Sequence, residues 1–229
     1  MNHHTYSPPP PSNSFIPPRH TILAPLPCFP GFYSVDFHGE LIQVTVAKKA
    51  AHVHQWIWDS PSSPPLSSPQ PYRWHRHRVL PNLAPGDDHP IAILQLCVGH
   101  HCLIVQLLHA DTIPPSLCAF FANPRHVFCG IGVQEDMMKL YDHHGLTVVN
   151  TADLNELATL ASGADGREYN HLGLKKAGRI LGKAMMKLLR VTLSKWDSHD
   201  LDFEQVEYAA IDAFVSFQIA HALCSCIVN

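Results

Sequence analysis

No apolar run in the 229 residues reaches the ~20 needed to cross a bilayer, and residues 1–18 lack the apolar stretch of a secretory leader, so no membrane partner is expected. The seven cysteines include no C-x-x-C pair, and an odd count of this kind reads as a reduced chain of the cytoplasm or nucleus. Charge is scarce: 15% of residues are charged and the net charge is −3, which argues against a simple electrostatic nucleic-acid binder but not against an enzyme that holds its substrate through metal ions. Proline is missing from residues 130–229, although the chain has 20. What is present in quantity is apolar: the 46% hydrophobic content is enough for most of the chain to fold around one sizeable core.

The prolines crowd into residues 7–30 and 60–71. The first stretch is expected to be a disordered lead-in (residues 1–30), leaving one folded domain over 31–229. Residues 33–37 and 41–47 alternate apolar and polar around His38-Gly39-Glu40, a hairpin signal. Residues 48–58 predict a short helix. Residues 60–90 read as irregular: a Pro/Ser-rich stretch, then Tyr72-Arg73-Trp74-His75-Arg76-His77-Arg78 with no usable apolar period. From residue 91 the pattern is orderly. Buried strands are expected at 91–98, 102–107 and 126–132, and a further short strand at 146–149. Helices are expected at 115–122, 134–144 (stopped by Gly145), from Thr151 or Asp153 through 160, at 171–181 and at 203–224. Strands first, then alternating helices and strands, then a helical end suit an α/β fold with a mixed sheet flanked by helices.

Three segments carry chemistry. In Gly130-Ile131-Gly132-Val133-Gln134-Glu135-Asp136 a carboxylate stands where a buried strand passes into a helix. In Tyr208-Ala209-Ala210-Ile211-Asp212 a tyrosine and a carboxylate lie four apart, on one helix face. Between them, Val191-Thr192-Leu193-Ser194-Lys195-Trp196-Asp197 leads into the last helix. Taken singly, each has an ordinary structural explanation: a carboxylate at a helix start is favourable end electrostatics, and a lysine-rich face is a solvated face. Four histidine pairs (His52/His54, His75/His77, His100/His101, His143/His144) lack a cysteine or carboxylate at zinc spacing, so zinc is not expected.

In order, ILQLCVG, GIGVQEDMMKL, DLNELA, LGLKKAGRILG and YAAIDAF resemble the 3′–5′ exonuclease domain of the Werner-syndrome type. This is the DEDD class with a tyrosine in its last motif, on the ribonuclease H-like fold. The nearest flavour is the small stand-alone plant group that carries an N-terminal hairpin extension. The resemblance implies hydrolysis of RNA or single-stranded DNA from the 3′ end by two Mg²⁺ or Mn²⁺ that lie roughly 3.5–4 Å from each other and are held by four carboxylates. Residue by residue, it makes Asp136 and Asp212 metal ligands and Tyr208 the hydroxyl that orients the attacking water. Trp196, Lys187 and the basic residues Lys175, Lys176, Arg179 and Lys183 are candidates for steadying the substrate or its phosphates. By resemblance alone, a homo-oligomer and a small-RNA pathway partner are also expected.

One motif is missing. The family's first motif, V-G-hydrophobic-Asp-hydrophobic-Glu-W, supplies half of the carboxylates just before the strand at 91–98. Here, aligning back from Pro81-Asn82 puts Arg76 and Arg78 where the Asp and Glu belong, and two cations there would repel divalent ions. The nearby Asp59, Asp87 and Asp88 sit at no suitable offset. If the arginine codons are CGN, reading residues 72–78 one base forward gives codons that permit Ile-Val-Gly-Ile-Asp-Ile-Glu, with the glycine forced. Residues 60–90 therefore read as a compensated frameshift in the gene, its sequence or its splice assignment. The alternatives are a catalytically inactive relative that binds nucleic acid or partner subunits, or a chain that fails to fold because prolines enter its sheet.

Overall fold

The alternation around residue 38 folds as the expected hairpin. Strands β2 (Phe32–Phe37) and β3 (Glu40–Ala47) pair antiparallel, from Phe32 opposite Thr45 to Phe37 opposite Glu40. His38 and Gly39 turn the chain with φ of 55° and 81°, the doubly left-handed geometry that matches strand twist. The computed structural model describes residues 22–23, 31–60, 72–79, 90–162 and 189–228, with backbone alone at 22–23, 72–79, 162 and 226–228. Within the stretch expected as lead-in, β1 (Ile22–Leu23) adds an edge strand against β2, which corrects that expectation at those two residues.

After β3 come α1 (Ala50–Asp59), β4 (Tyr72–Val79), β5 (Ile91–Val98) and β6 (His101–Val105). They are followed by a 3₁₀ turn (Leu107–His109), α2 (Pro115–Ala122), β7 (Val127–Gly130), α3 (Val133–His144), β8 (Thr151–Asp153) and α4 (Leu154–Ser162). The last two helices are α5 (Leu189–Thr192) and α6 (Phe203–Val228). The described strands form one mixed eight-stranded sheet in the order β1-β2-β3-β6-β5-β4-β7-β8. Every residue of β5 is buried, as a central strand covered on both faces should be. One face packs Val35, Ile42, Val44, Ile93 and Ile104 under α6. The other packs Leu94, Leu96, Leu103 and Phe128 with Val53 and Trp56 of α1 and Leu117, Phe120 and Phe121 of α2. The molecule is thus an α/β fold with a mixed sheet between two layers of helix.

Two expectations are corrected. Residues 72–79 form a strand: β4 lies inside the sheet, antiparallel to β5 and parallel to β7. Pro71 and Pro81 fall outside it, so neither removes a ladder donor from the strand. Tyr72, Trp74 and Val79 are residue types that favour strands, and pairing on both sides holds the segment extended although it shows no apolar period. Residues 146–149 form no strand. The Val149 amide donates to Phe121 O of α2, and pairing with β7 begins only at Thr151. The helix expected at 171–181 lies outside the described residues.

Candidate active site

α6 is started by a reciprocal cap. Asp202 Oδ1 accepts from the Gln205 amide at 2.8 Å, and Gln205 Oε1 accepts from the Asp202 amide at 3.0 Å. Gln205 is buried, and its Nε2 also donates to Ser194 Oγ and to Lys195 O. The cap therefore fixes the helix and the segment leading into it as one unit. Tyr208 and Asp212 follow on α6 one turn apart, on the side that packs against the sheet. Thr192 Oγ1 lies 3.4 Å from the Tyr208 hydroxyl, and the Trp196 ring sits 6.3 Å from the tyrosine ring. Asp212 is only 2% exposed, so this carboxylate is built into the core and not presented on a solvated face.

Asp136 stands in the first turn of α3, where the helix N-terminus favours an anion. β7 ends at Gly130, and the left-handed Gly132 (φ 72°) turns the chain into that helix. Asp153 secures this turn from the next strand: its Oδ2 accepts from the Gly132 amide at 2.7 Å, while Oδ1 accepts from the Asn155 amide at 2.8 Å and caps α4. Asp153, and not Thr151, is the cap. Gln205 and Asp153 are positioning residues: each makes a local cap, but the bonds that tie Gln205 to Ser194 and Lys195 and Asp153 to Gly132 join other elements and follow no spacing rule.

β4 lies between the strand that leads to Asp136 and the strand that faces α6. Arg76 is the register partner of Gln95, and Arg78 that of Ile93. Gln95 is fully buried, and among the described residues neither of its amide atoms has a hydrogen-bond partner. Tyr72–Val79 contains no Asp or Glu, so the residue types on β4 do not fit a centre for two divalent ions. Asp59 cannot compensate. It lies at the exposed end of α1, where it accepts from Gln55, and α1 covers the face opposite α6. Asp87 and Asp88 lie outside the described residues, as do Lys175, Lys176, Arg179, Lys183 and Lys187.

Trp196 is a correction. It is 1% exposed, the largest fully buried side chain among the described residues, and its indole N–H donates to Thr192 O at 3.2 Å. A ring enclosed this way cannot stack on a nucleic-acid base; it supports Thr192 and Tyr208 from behind.

The sequence model of the 3′–5′ exonuclease family matches residues 83–227, well over half of the chain. The chain belongs to the 3′–5′ exonuclease family. Its match to this exonuclease family begins after β4, so the strand with Arg76 and Arg78 is outside it. Among curated relatives, a 3′-5′ exonuclease of Arabidopsis thaliana is 29% identical over 134 residues, covering 58% of this chain and 45% of that protein. Exonuclease 3′-5′ domain-containing protein 2 of Drosophila melanogaster is 33% identical over 141 residues, covering 61% of this chain and 23% of the fly protein. The aligned region thus spans less than half the length of either relative. In structure, the chain resembles Escherichia coli RNase D (TM-score 0.66, 15% identity, covering 81% of this chain and 45% of the other). It also resembles the Aedes aegypti Nibbler EXO domain (TM-score 0.66, 18% identity, covering 81% and 88%). These structural likenesses support the ribonuclease H-like exonuclease fold.

Proposed function

We propose that this exonuclease-family chain engages the 3′ end of RNA or single-stranded DNA near Asp136, Tyr208 and Asp212, with hydrolysis impaired in the sequence as it stands. The observation that carries this reading is β4. It occupies an interior position of the sheet, beside the strand that leads to Asp136, and carries arginine at positions 76 and 78 where the family resemblance asks for Asp and Glu. Half of the acids that would hold Mg²⁺ or Mn²⁺ are therefore replaced by cations, and a divalent ion near two guanidinium groups is repelled. Asp136 and Asp212 remain as the other half, and Tyr208 remains as the last-motif hydroxyl, one helical turn before Asp212.

A fluorescent single-stranded oligonucleotide, as RNA and as DNA, tests this in buffers with Mg²⁺ and with Mn²⁺. Binding by anisotropy without metal-dependent shortening from the 3′ end is expected. Efficient shortening that Asp136→Ala or Asp212→Ala abolishes would overturn the impairment, and failure to bind either strand would overturn the engagement.

A second reading is favoured by the same strand. A compensated frameshift across residues 60–90 would place Ile-Val-Gly-Ile-Asp-Ile-Glu at Tyr72–Arg78, a sequence that suits an interior strand better than alternating arginine and histidine. Sequencing the transcript across the codons for Trp58–Ile91 decides it. The shifted motif in frame makes the natural protein an active exonuclease with four carboxylates; Arg76 and Arg78 as printed leave the impaired form.

A further inference from the structure

Two thiols face each other beneath the helix that carries Tyr208 and Asp212. Cys97 of β5 and Cys102 of β6 are direct register partners, one pair in from the turn-closing Val98 and His101. Their sulfurs are 2.9 Å apart, well inside the separation of two non-bonded sulfurs. Both residues are buried, at 0% and 1% exposure, on the sheet face that packs under α6. Cys102 Sγ also lies 3.7 Å from the carbonyl of Ala210, which sits between Tyr208 and Asp212. Cys97 Sγ lies 3.4 Å from Gly99 O in the turn.

We infer that Cys97 and Cys102 form a redox modification site, closing reversibly into a cross-strand disulfide under the Tyr208–Asp212 turn of α6. The geometry asks for little movement. Opposed Cα atoms in an antiparallel pair are about 4.5–5.5 Å apart, inside the range that a disulfide spans, and the sulfurs need approach by less than about 1 Å to bond. With hydrogen peroxide as oxidant, one thiol becomes a sulfenic acid as the peroxide O–O bond breaks and water leaves. The second thiol then displaces hydroxide from that sulfur, forming the S–S bond and releasing a second water. A dithiol reductant reverses the step. Burial holds the Cys97 thiol protonated, so the pair reacts while the Gly99-His100 turn is transiently open and not in the closed sheet. Closure removes the S–H contact to Ala210 O, so the state of the sulfurs is communicated to the turn that carries both motif residues.

The test uses the full chain, with Cys118→Ser to silence the exposed thiol on α2. After peroxide treatment, free thiols are alkylated and the chain is digested with trypsin, which leaves Cys97 and Cys102 in one peptide. The expected product is that peptide unalkylated at both cysteines and lighter by two hydrogens, restored to the alkylated form by prior dithiothreitol. Oxidised and reduced chains are expected to melt at different temperatures, a difference that Cys97→Ala abolishes. Both thiols still alkylated after peroxide, or sulfinic acid in place of the disulfide, would overturn the proposal. The peptide map needs neither cysteine replaced, so it holds even if Cys97→Ala fails to fold.

Discussion

Trp196 shows how far one side chain can decide the use of a motif. Its ring fills the core behind Tyr208, and its N–H is satisfied by Thr192 O. Trp196→Ala should therefore cost about 3–5 kcal/mol in a urea melt. Trp196→Phe keeps most of the volume and should cost about 1 kcal/mol, with oligonucleotide affinity unchanged at a temperature where the variant is folded. Loss of affinity at full stability would return Trp196 to the substrate surface. Gly31 is held by a different constraint. It has φ of 94°, and a Cβ there would come within 2.7 Å of Val46 O, the carbonyl of the residue whose amide donates to Gly31 O. Gly31→Ala should destabilise by about 1–3 kcal/mol, read by the same melt. Asp200 gives a pH signature. Hydrogen bonds from Lys48, 2.6 Å away, and from His199 hold its carboxyl down at about 2, against an ordinary 3.8. For a depressed acid the contribution is complete above the ordinary value and is lost as pH falls through about 2. The Asp200 carboxyl carbon should titrate near 2 by NMR, and in Lys48→Met its midpoint should move up toward the ordinary value.

At the scale of elements, α6 depends on its first turn. The Asp202–Gln205 cap satisfies amides that the helix itself cannot, and Gln205 passes the constraint back to Ser194 and Lys195. Asp202→Ala should lose about 1 kcal/mol by thermal or urea unfolding, while the remote Glu156→Ala should change stability far less. The bulge in β5 is a second device. Arg78 pairs with Ile93 and Val79 with Ile91, so Ala92 is the extra residue. It sends Ala92 and Ile93 to the α6 side while Ile91 joins the opposite core. Without that extra residue, a strict alternation would put one of these apolar side chains on the wrong face.

For the whole molecule, the sheet order puts β4 between β5 and β7, so the pairing of both neighbours depends on it. Replacing Arg76 by Asp and Arg78 by Glu in one chain should create what the present residues do not fit: Mg²⁺ or Mn²⁺ should raise the melting temperature of that variant and leave the parent chain unmoved. The same variant should shorten a single-stranded oligonucleotide from its 3′ end, and adding Asp136→Ala should remove that activity. A variant that melts normally yet neither binds metal nor cleaves would place the defect outside β4.

The order of five motifs determined the family and the fold class before any coordinate, because those motifs combine local periodicity with particular polar residues at fixed offsets. The hairpin at 38–39, α2 beginning at Pro115 and α3 ending at Gly145 were legible for the same local reason: φ preference, missing donors and capping act within a few residues. β4 was not, because its extended form is stabilised by ladder bonds to β5 and β7, which lie outside the segment and leave no mark on its own pattern. Tertiary structure also decided that Trp196 is core, that Asp153 joins the start of α3 to α4, and that Cys97 and Cys102 meet under α6. Each of these depends on a contact between residues of different elements, and such contacts follow no period along the chain.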